Sequence, residues 1–224
     1  MPNPSHIVYL HGLGGSPLSA KGVLLHDHFT RLGITTVRPV LSVPSFQNLS
    51  PLAAVQRVVD VLTDLAQESS VALVGSSFGA FLGLHALSRV DASVQSVVHR
   101  VVLLAPLFDP FDSTSALVNP VNEARWRDDG VFPLLDLKTG QQTPVHYRFV
   151  EELRLLVSRP LEVEVPTLVV HGDRDDVVRS EQSRRFADGR LNVQLRIIQD
   201  NHGLLADPAG LAALVESFLL ERST

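Results

Sequence analysis

The chain has 224 residues, 45% of them apolar and 19% charged, with a formal net charge of -5 and no cysteine. That length supports one substantial core, so a single domain over residues 1–224 is expected, and the apolar share suits a buried sheet. The composition gives no support for a disulfide framework, a thiol nucleophile, a cysteine metal site or a nucleic-acid-binding basic face.

No apolar run approaches membrane-spanning length, and Met1-Pro2-Asn3-Pro4-Ser5 lacks the basic stretch and long apolar core of a secretory signal. The expectation is a soluble cytoplasmic protein without membrane or nucleic-acid partners.

Short β-rich runs alternate with longer amphipathic stretches, as in a parallel sheet with helices on both faces. Strands are expected at His6–Leu10, Thr35–Arg38, Val71–Gly75, Arg100–Ala105, Thr167–His171 and Gln194–Ile198. Several are continuous apolar runs, which suits strands covered on both sides. Helices are expected at about Leu18–Leu32, Pro51–Gln67, Ser77–Arg89, Ser180–Asp188 and Pro208–Leu220. Pro51 and Pro208 suit a first helical turn, with Ser50 and Asp207 as caps. The rhythm breaks between Ala105 and Pro166, where a cap-like insert at about 107–165 is expected. Within it Tyr147–Val157 reads as helix, while Pro110, Pro120, Pro133 and Pro144 punctuate the rest.

The most informative motif is Gly75-Ser76-Ser77-Phe78-Gly79, which ends the run Val71–Val74 and opens a helical stretch. Strand, sharp turn and helix in that order make Ser77 a candidate nucleophile, lifted from the sheet on a turn whose two glycines allow close backbone approach. A serine hydroxyl needs a base to take its proton, and histidine oriented by a carboxylate is the usual one. Of nine histidines, His202 in Asp200-Asn201-His202-Gly203 follows the last expected strand, at the sheet edge where Ser77 emerges. The loop Gly172-Asp173-Arg174-Asp175-Asp176 follows another strand and offers three carboxylates. Asp173 suits the turn itself. Asp175, three residues after Gly172 and just before Val177-Val178, is preferred over Asp176.

A developing oxyanion needs donors. The Phe78 N–H follows the nucleophile, and Leu13 supplies a second in His11-Gly12-Leu13-Gly14-Gly15-Ser16-Pro17. This loop is not read as a dinucleotide site, because Pro17 occupies the last glycine position of G-x-G-x-x-G. His11 is expected to brace the loop, and Lys21 to be a solvated helix residue with a conceivable part in fixing it. His26 and His28 point to different helix faces, and no metal or other cofactor is expected. Phe108, Trp126 and Tyr147 are the candidates for an apolar substrate pocket under the insert.

With these four motifs in order, the chain resembles the α/β-hydrolase superfamily over nearly its whole length, and is most similar to small YqiA-like esterases. The HG-loop followed by Ser16-Pro17 and Lys21, and the Gly-Ser-Ser elbow, carry that likeness. The insert over Trp126–Val150 resembles the short cap of acyl-protein thioesterase relatives. The resemblance implies an α/β-hydrolase fold with a mostly parallel sheet of about six strands, without the superfamily's two leading antiparallel strands. It also implies a serine hydrolase for small-molecule esters or thioesters. The roles carried over are Ser77 nucleophile, His202 base, Asp175 acid, and Leu13 and Phe78 oxyanion donors. A non-catalytic ligand-binding protein on the same fold, or a peptidase or lyase using the same residues, are the alternatives.

Overall fold

The computed structural model describes residues 3–66 and 70–220. Six strands form one all-parallel sheet: β1 (His6–Leu10), β2 (Thr35–Val37), β3 (Val71–Ser76), β4 (Val98–Leu104), β7 (Thr167–Gly172) and β8 (Val193–Ile198). Their spatial order is β2-β1-β3-β4-β7-β8. All six expected strands are present, with ends that agree to within two residues.

Alternate side chains of each strand enter different cores, as the period of two requires. Ile7, Tyr9, Ala72, Val74, Val102 and Leu104 pack with Leu25 and Phe29 of α1 (Ala20–Arg31) and Leu211 and Val215 of α8 (Pro208–Leu219). Val8, Leu10, Leu73, Val101 and Leu103 face the other way. They meet α2 (Pro51–Leu65) and α3 (Phe78–Leu87), joined there by α6 (Arg148–Val157). Because both faces are covered, β3 is buried at every position. Gln67, the expected end of the second helix, lies outside the described residues. Ser50 caps α2 by accepting from the Ala53 N–H at 3.0 Å. The remaining helices are α4 (Ala92–Gln95), α5 (Pro120–Asp129) and α7 (Glu181–Ala187).

The strand order reverses beside β1: the chain goes to β2 on one side and then crosses to β3 on the other. At such a switch the two carboxyl-end loops diverge and leave a crevice, where ligands of open α/β sheets bind. The HG-loop and the Ser77 turn flank it.

The insert holds more regular structure than expected. It contains α5, the antiparallel hairpin β5 (Val131–Asp136) and β6 (Gln141–His146), and then α6. Pro133 and Pro144 sit opposite each other within this ribbon. A two-stranded ribbon has a free edge on each strand, so a residue without an N–H is tolerated there. Trp126, Phe132 and Phe149 stack into a small core that rests on Phe78, with Phe149 and Phe78 ring centres 5.7 Å apart. The buried Glu152 carboxylate ties α6 to the start of α2, accepting from Ser50 Oγ at 2.5 Å and the Leu52 N–H at 3.1 Å. At its other end the hairpin lies on the HG-loop, where the Leu137 N–H donates to Gly14 O at 2.9 Å. The sheet thus carries a roof over its carboxyl edge.

Candidate active site

Ser77 has φ 54° and ψ -119°, a conformation that crowds a side chain and is held only when the surroundings enforce it. The enforcement is visible. Its N–H donates to Leu104 O at 3.0 Å, and its carbonyl accepts from Leu107 and Ala80. The flanking glycines are sterically required: a Cβ on Gly75 would lie 2.5 Å from Ala80 Cα, and one on Gly79 would lie 2.2 Å from Leu10 O. With that turn locked, Ser77 Oγ stands at the crevice beside β1.

His202 reaches it from the loop after β8. Its Nε2 lies 3.0 Å from Ser77 Oγ and its Nδ1 2.7 Å from Asp175 Oδ2. This set places a proton on Nδ1, donating to the carboxylate, and leaves Nε2 free to accept from the hydroxyl. The arrangement can therefore take the Ser77 proton and stabilise the resulting imidazolium. Gly172 makes the approach possible, because a Cβ there would lie 2.3 Å from Asp200 O. Asp200 shapes the turn before His202, accepting from the Asn201 and Ala206 N–H groups at 2.7 and 2.9 Å.

Asp175 is buried and surrounded by donors. Oδ1 accepts from the Val177 and Val178 N–H groups at 3.0 and 2.9 Å. Oδ2 takes His202 and, at 3.1 Å, Nε2 of His171. Burial alone would raise its pKa, but the hydrogen bonds from His171, His202 and Val178 outweigh it and hold the carboxyl well below the usual carboxylate range. Asp176, the sequence alternative, is exposed. His171 is a supporting residue that sequence reasoning missed. Fully buried, it also donates from Nε2 to Val178 O at 2.7 Å and accepts at Nδ1 from Ser183 Oγ at 2.6 Å. Its only sequence signal was its place at the end of a buried strand.

Neither the Leu13 nor the Phe78 N–H is used by a partner within the described chain, and both residues line the cavity over Ser77. His11 braces their loop from both ring nitrogens, with Nδ1 donating to Gly12 O at 2.9 Å and Nε2 accepting from the Leu41 N–H at 3.1 Å. Burial lowers its pKa, which keeps Nε2 an acceptor.

Two expectations need correction. Lys21 is not a solvated helix residue: partly buried, it lines the cavity and its Nζ donates to His202 O at 3.0 Å. Burial depresses its pKa to about 8 despite the attraction of Asp175 and Asp200. The insert aromatics, for their part, do not line this cavity. Trp126 is fully buried with its Nε1–H on Val145 O at 2.7 Å, Tyr147 donates to Glu123, and Phe108 stacks on Phe186. They build the insert and its attachment to the sheet. The cavity, about 550 Å³, is walled instead by Leu107, Leu117, Leu134, Leu135 and Leu137. The last three come from β5 and its turn. Among the described residues no cluster of three or more His, Asp or Glu could hold a metal ion, and no helix is long and apolar enough to cross a membrane.

The model of the Uncharacterised protein family (UPF0227) matches residues 6–206. The mitochondrial palmitoyl-protein thioesterase ABHD10 of Homo sapiens is 25% identical over 155 residues, covering 65% of this chain and 47% of that protein. The chain thus spans about half the length of the curated relatives it matches. Among solved structures, alpha/beta hydrolase domain-containing protein 10 from mouse superposes with a TM-score of 0.75 at 22% identity, covering all of this chain and 93% of that one. Est1E from Butyrivibrio proteoclasticus, solved with ferulic acid bound, gives a TM-score of 0.76 at 18% identity, covering 96% of this chain and 88% of that one. The sheet, its carboxyl-edge crevice and the family match lead to one conclusion: the chain belongs to the uncharacterised protein family UPF0227 and has the α/β-hydrolase fold.

Proposed function

We propose that the protein is a serine hydrolase that cleaves carboxylic esters or thioesters bearing apolar acyl groups, through an acyl-enzyme on Ser77. The observation that carries this reading is the line from Asp175 Oδ2 through His202 to Ser77 Oγ, at 2.7 and 3.0 Å, opening on a leucine-walled cavity. Ser77 Oγ attacks the carbonyl carbon as its proton passes to His202 Nε2. The Leu13 and Phe78 N–H groups receive the oxyanion, where one such donor is worth about 3 to 4 kcal/mol of barrier. The imidazolium then returns its proton to the departing alcohol or thiol. Water, deprotonated by His202, attacks the acyl-enzyme, and His202 returns that proton to Ser77 Oγ as the carboxylic acid leaves. The name of the ABHD10 relatives, palmitoyl-protein thioesterase, agrees with an apolar acyl group. A cytoplasmic setting belongs to the same reading.

An acyl-length series tests it. Each methylene buried against the leucines is worth about 0.8 kcal/mol, or roughly fourfold. For p-nitrophenyl esters from acetate to octanoate, kcat/KM is expected to climb by up to that factor per carbon until the cavity is filled, with the matching thioesters following the same trend. Rates that fall beyond acetate would sink the apolar-acyl assignment.

Lys21 gives the site an alkaline pH limb. Below about pH 8 its ammonium holds the His202 carbonyl with a charge-assisted bond, and above that pH the charge is lost. Activity is therefore expected to decline on the alkaline side with a midpoint about 8. In Lys21→Met the rate at neutral pH drops about tenfold, the scale of one charged hydrogen bond, and the alkaline decline disappears. A pH–rate profile of the variant that keeps this decline would assign the limb elsewhere.

A further inference from the structure

A second cavity, of about 350 Å³, shares no residue with the one over Ser77. It lies between His85 on α3, the segment after β4, the end of α6 with the loop beyond it, and α7. Its chemistry is that of an anion site with an apolar floor. Arg159, Arg185 and Arg190 line it against Asp109 and Asp112. The two carboxylates are already engaged: Asp112 pairs with Arg185 at 2.5 Å, and Asp109 accepts from the Phe111 N–H at 2.8 Å. The Arg159 guanidinium has no partner among the described residues, and the guanidinium nearby is that of Arg89, which it repels. Among the described residues the Arg190 guanidinium donates to Phe186 O alone, and it lies over the Phe186 ring at 4.6 Å.

His85 supplies the independent sign of a ligand. It is 1% exposed, lines this cavity, and its Nε2 is buried with no hydrogen-bond partner. A buried polar atom left unpaired costs about 1 to 3 kcal/mol. Nothing in the chemistry at Ser77 uses this imidazole. Burial and the neighbouring Arg89 keep it neutral, with its pKa pushed down to about 4. It can thus offer an N–H to an anion while adding no charge of its own. The floor is the Phe108–Phe186 pair, stacked at 4.1 Å and 14°, with Pro160 and Leu161 beside it.

We infer that this cavity is a binding site, separate from the Ser77 crevice, for a small organic anion: a carboxylate or phosphomonoester head held by Arg159, Arg190 and His85, carried on a flat apolar body. A bare anion would leave the apolar wall of Pro160, Leu161 and the phenylalanine edges uncovered. An uncharged aromatic would leave the unpaired guanidinium unmatched.

Titration of the full chain followed by ¹H–¹⁵N NMR, with phenyl phosphate, benzoate and inorganic phosphate as probes, tests the site. At least one of the two aromatic anions is expected to bind saturably, with a dissociation constant on the order of 1 mM or tighter. It should bind more tightly than inorganic phosphate and shift His85 and α7 while leaving Ser77 and His202 unmoved. The tighter of the two identifies the head group. Arg159→Gln, at an exposed position, and independently Arg190→Gln should each weaken binding about tenfold. Shifts centred on Ser77 would overturn the inference. So would inorganic phosphate binding as tightly as the aromatic anions, no saturable binding of either, or unchanged affinity in both variants.

Discussion

Ser77→Ala is expected to lower kcat for p-nitrophenyl esters by at least about 10⁴-fold and to abolish covalent labelling by a fluorophosphonate. The loss should fall on kcat rather than KM, because the Leu13 and Phe78 donors and the leucine walls that hold the substrate are untouched. The variant should fold normally: alanine keeps the Cβ, so the cost of φ 54° is not increased, and the turn is held by main-chain bonds to Leu104, Leu107 and Ala80. Intact-mass spectrometry after labelling reads the result directly. An adduct that survives the substitution would move the nucleophile to another residue. A wild-type chain with no adduct and no turnover would favour a non-catalytic ligand-binding role.

Ser77 was legible in the sequence because the elbow is a local device. Strand, two glycines and helix lie within a few residues of one another, and each glycine has a steric reason that any such turn shares. The sheet was legible for a similar reason, since buried parallel strands are short uninterrupted apolar runs. The insert was harder to read because its signals conflicted. Pro133 and Pro144 suggested loop, yet the hairpin tolerates both at its free edges. Pro120 suggested a break, although Asn119 and Asn122 form a capping box, Pro120 sits in the first turn, and Gly130 closes the helix at φ 71°. That was a helix signature in plain view. Reading aromatics as pocket residues failed because large rings maximise buried contact, and Trp126 and Phe149 spend it on the insert's own core. The hairpin leucines were left to face the cavity. Lys21 and His171 were not recoverable, because their roles arise from contacts with His202 and Asp175, which fold against them from elsewhere in the chain.

The choice between Asp175 and Asp176 yields the other large effect. Asp175→Asn is expected to reduce kcat by about 10⁴-fold, and Asp176→Asn, at an exposed position, by less than about twofold. The asymmetry follows from the four donors around Asp175. An asparagine amide must turn its NH₂ either toward His202 and His171 or toward the Val177 and Val178 N–H groups, and each orientation sets donor against donor. Turned toward His202, it favours the tautomer with the proton on Nε2, which cannot accept from Ser77. Turned the other way, it unpins the loop that carries residue 175, at a cost of about 1 to 3 kcal/mol. Stability against pH provides a readout independent of catalysis. A carboxylate whose folded pKa lies below its unfolded value of 3.8 contributes stability above that pH and loses it as pH falls toward the folded value. The wild-type chain should therefore lose stability relative to Asp175→Asn as pH drops below about 4, narrowing the gap between their unfolding midpoints. A larger rate loss in Asp176→Asn than in Asp175→Asn would reassign the acid.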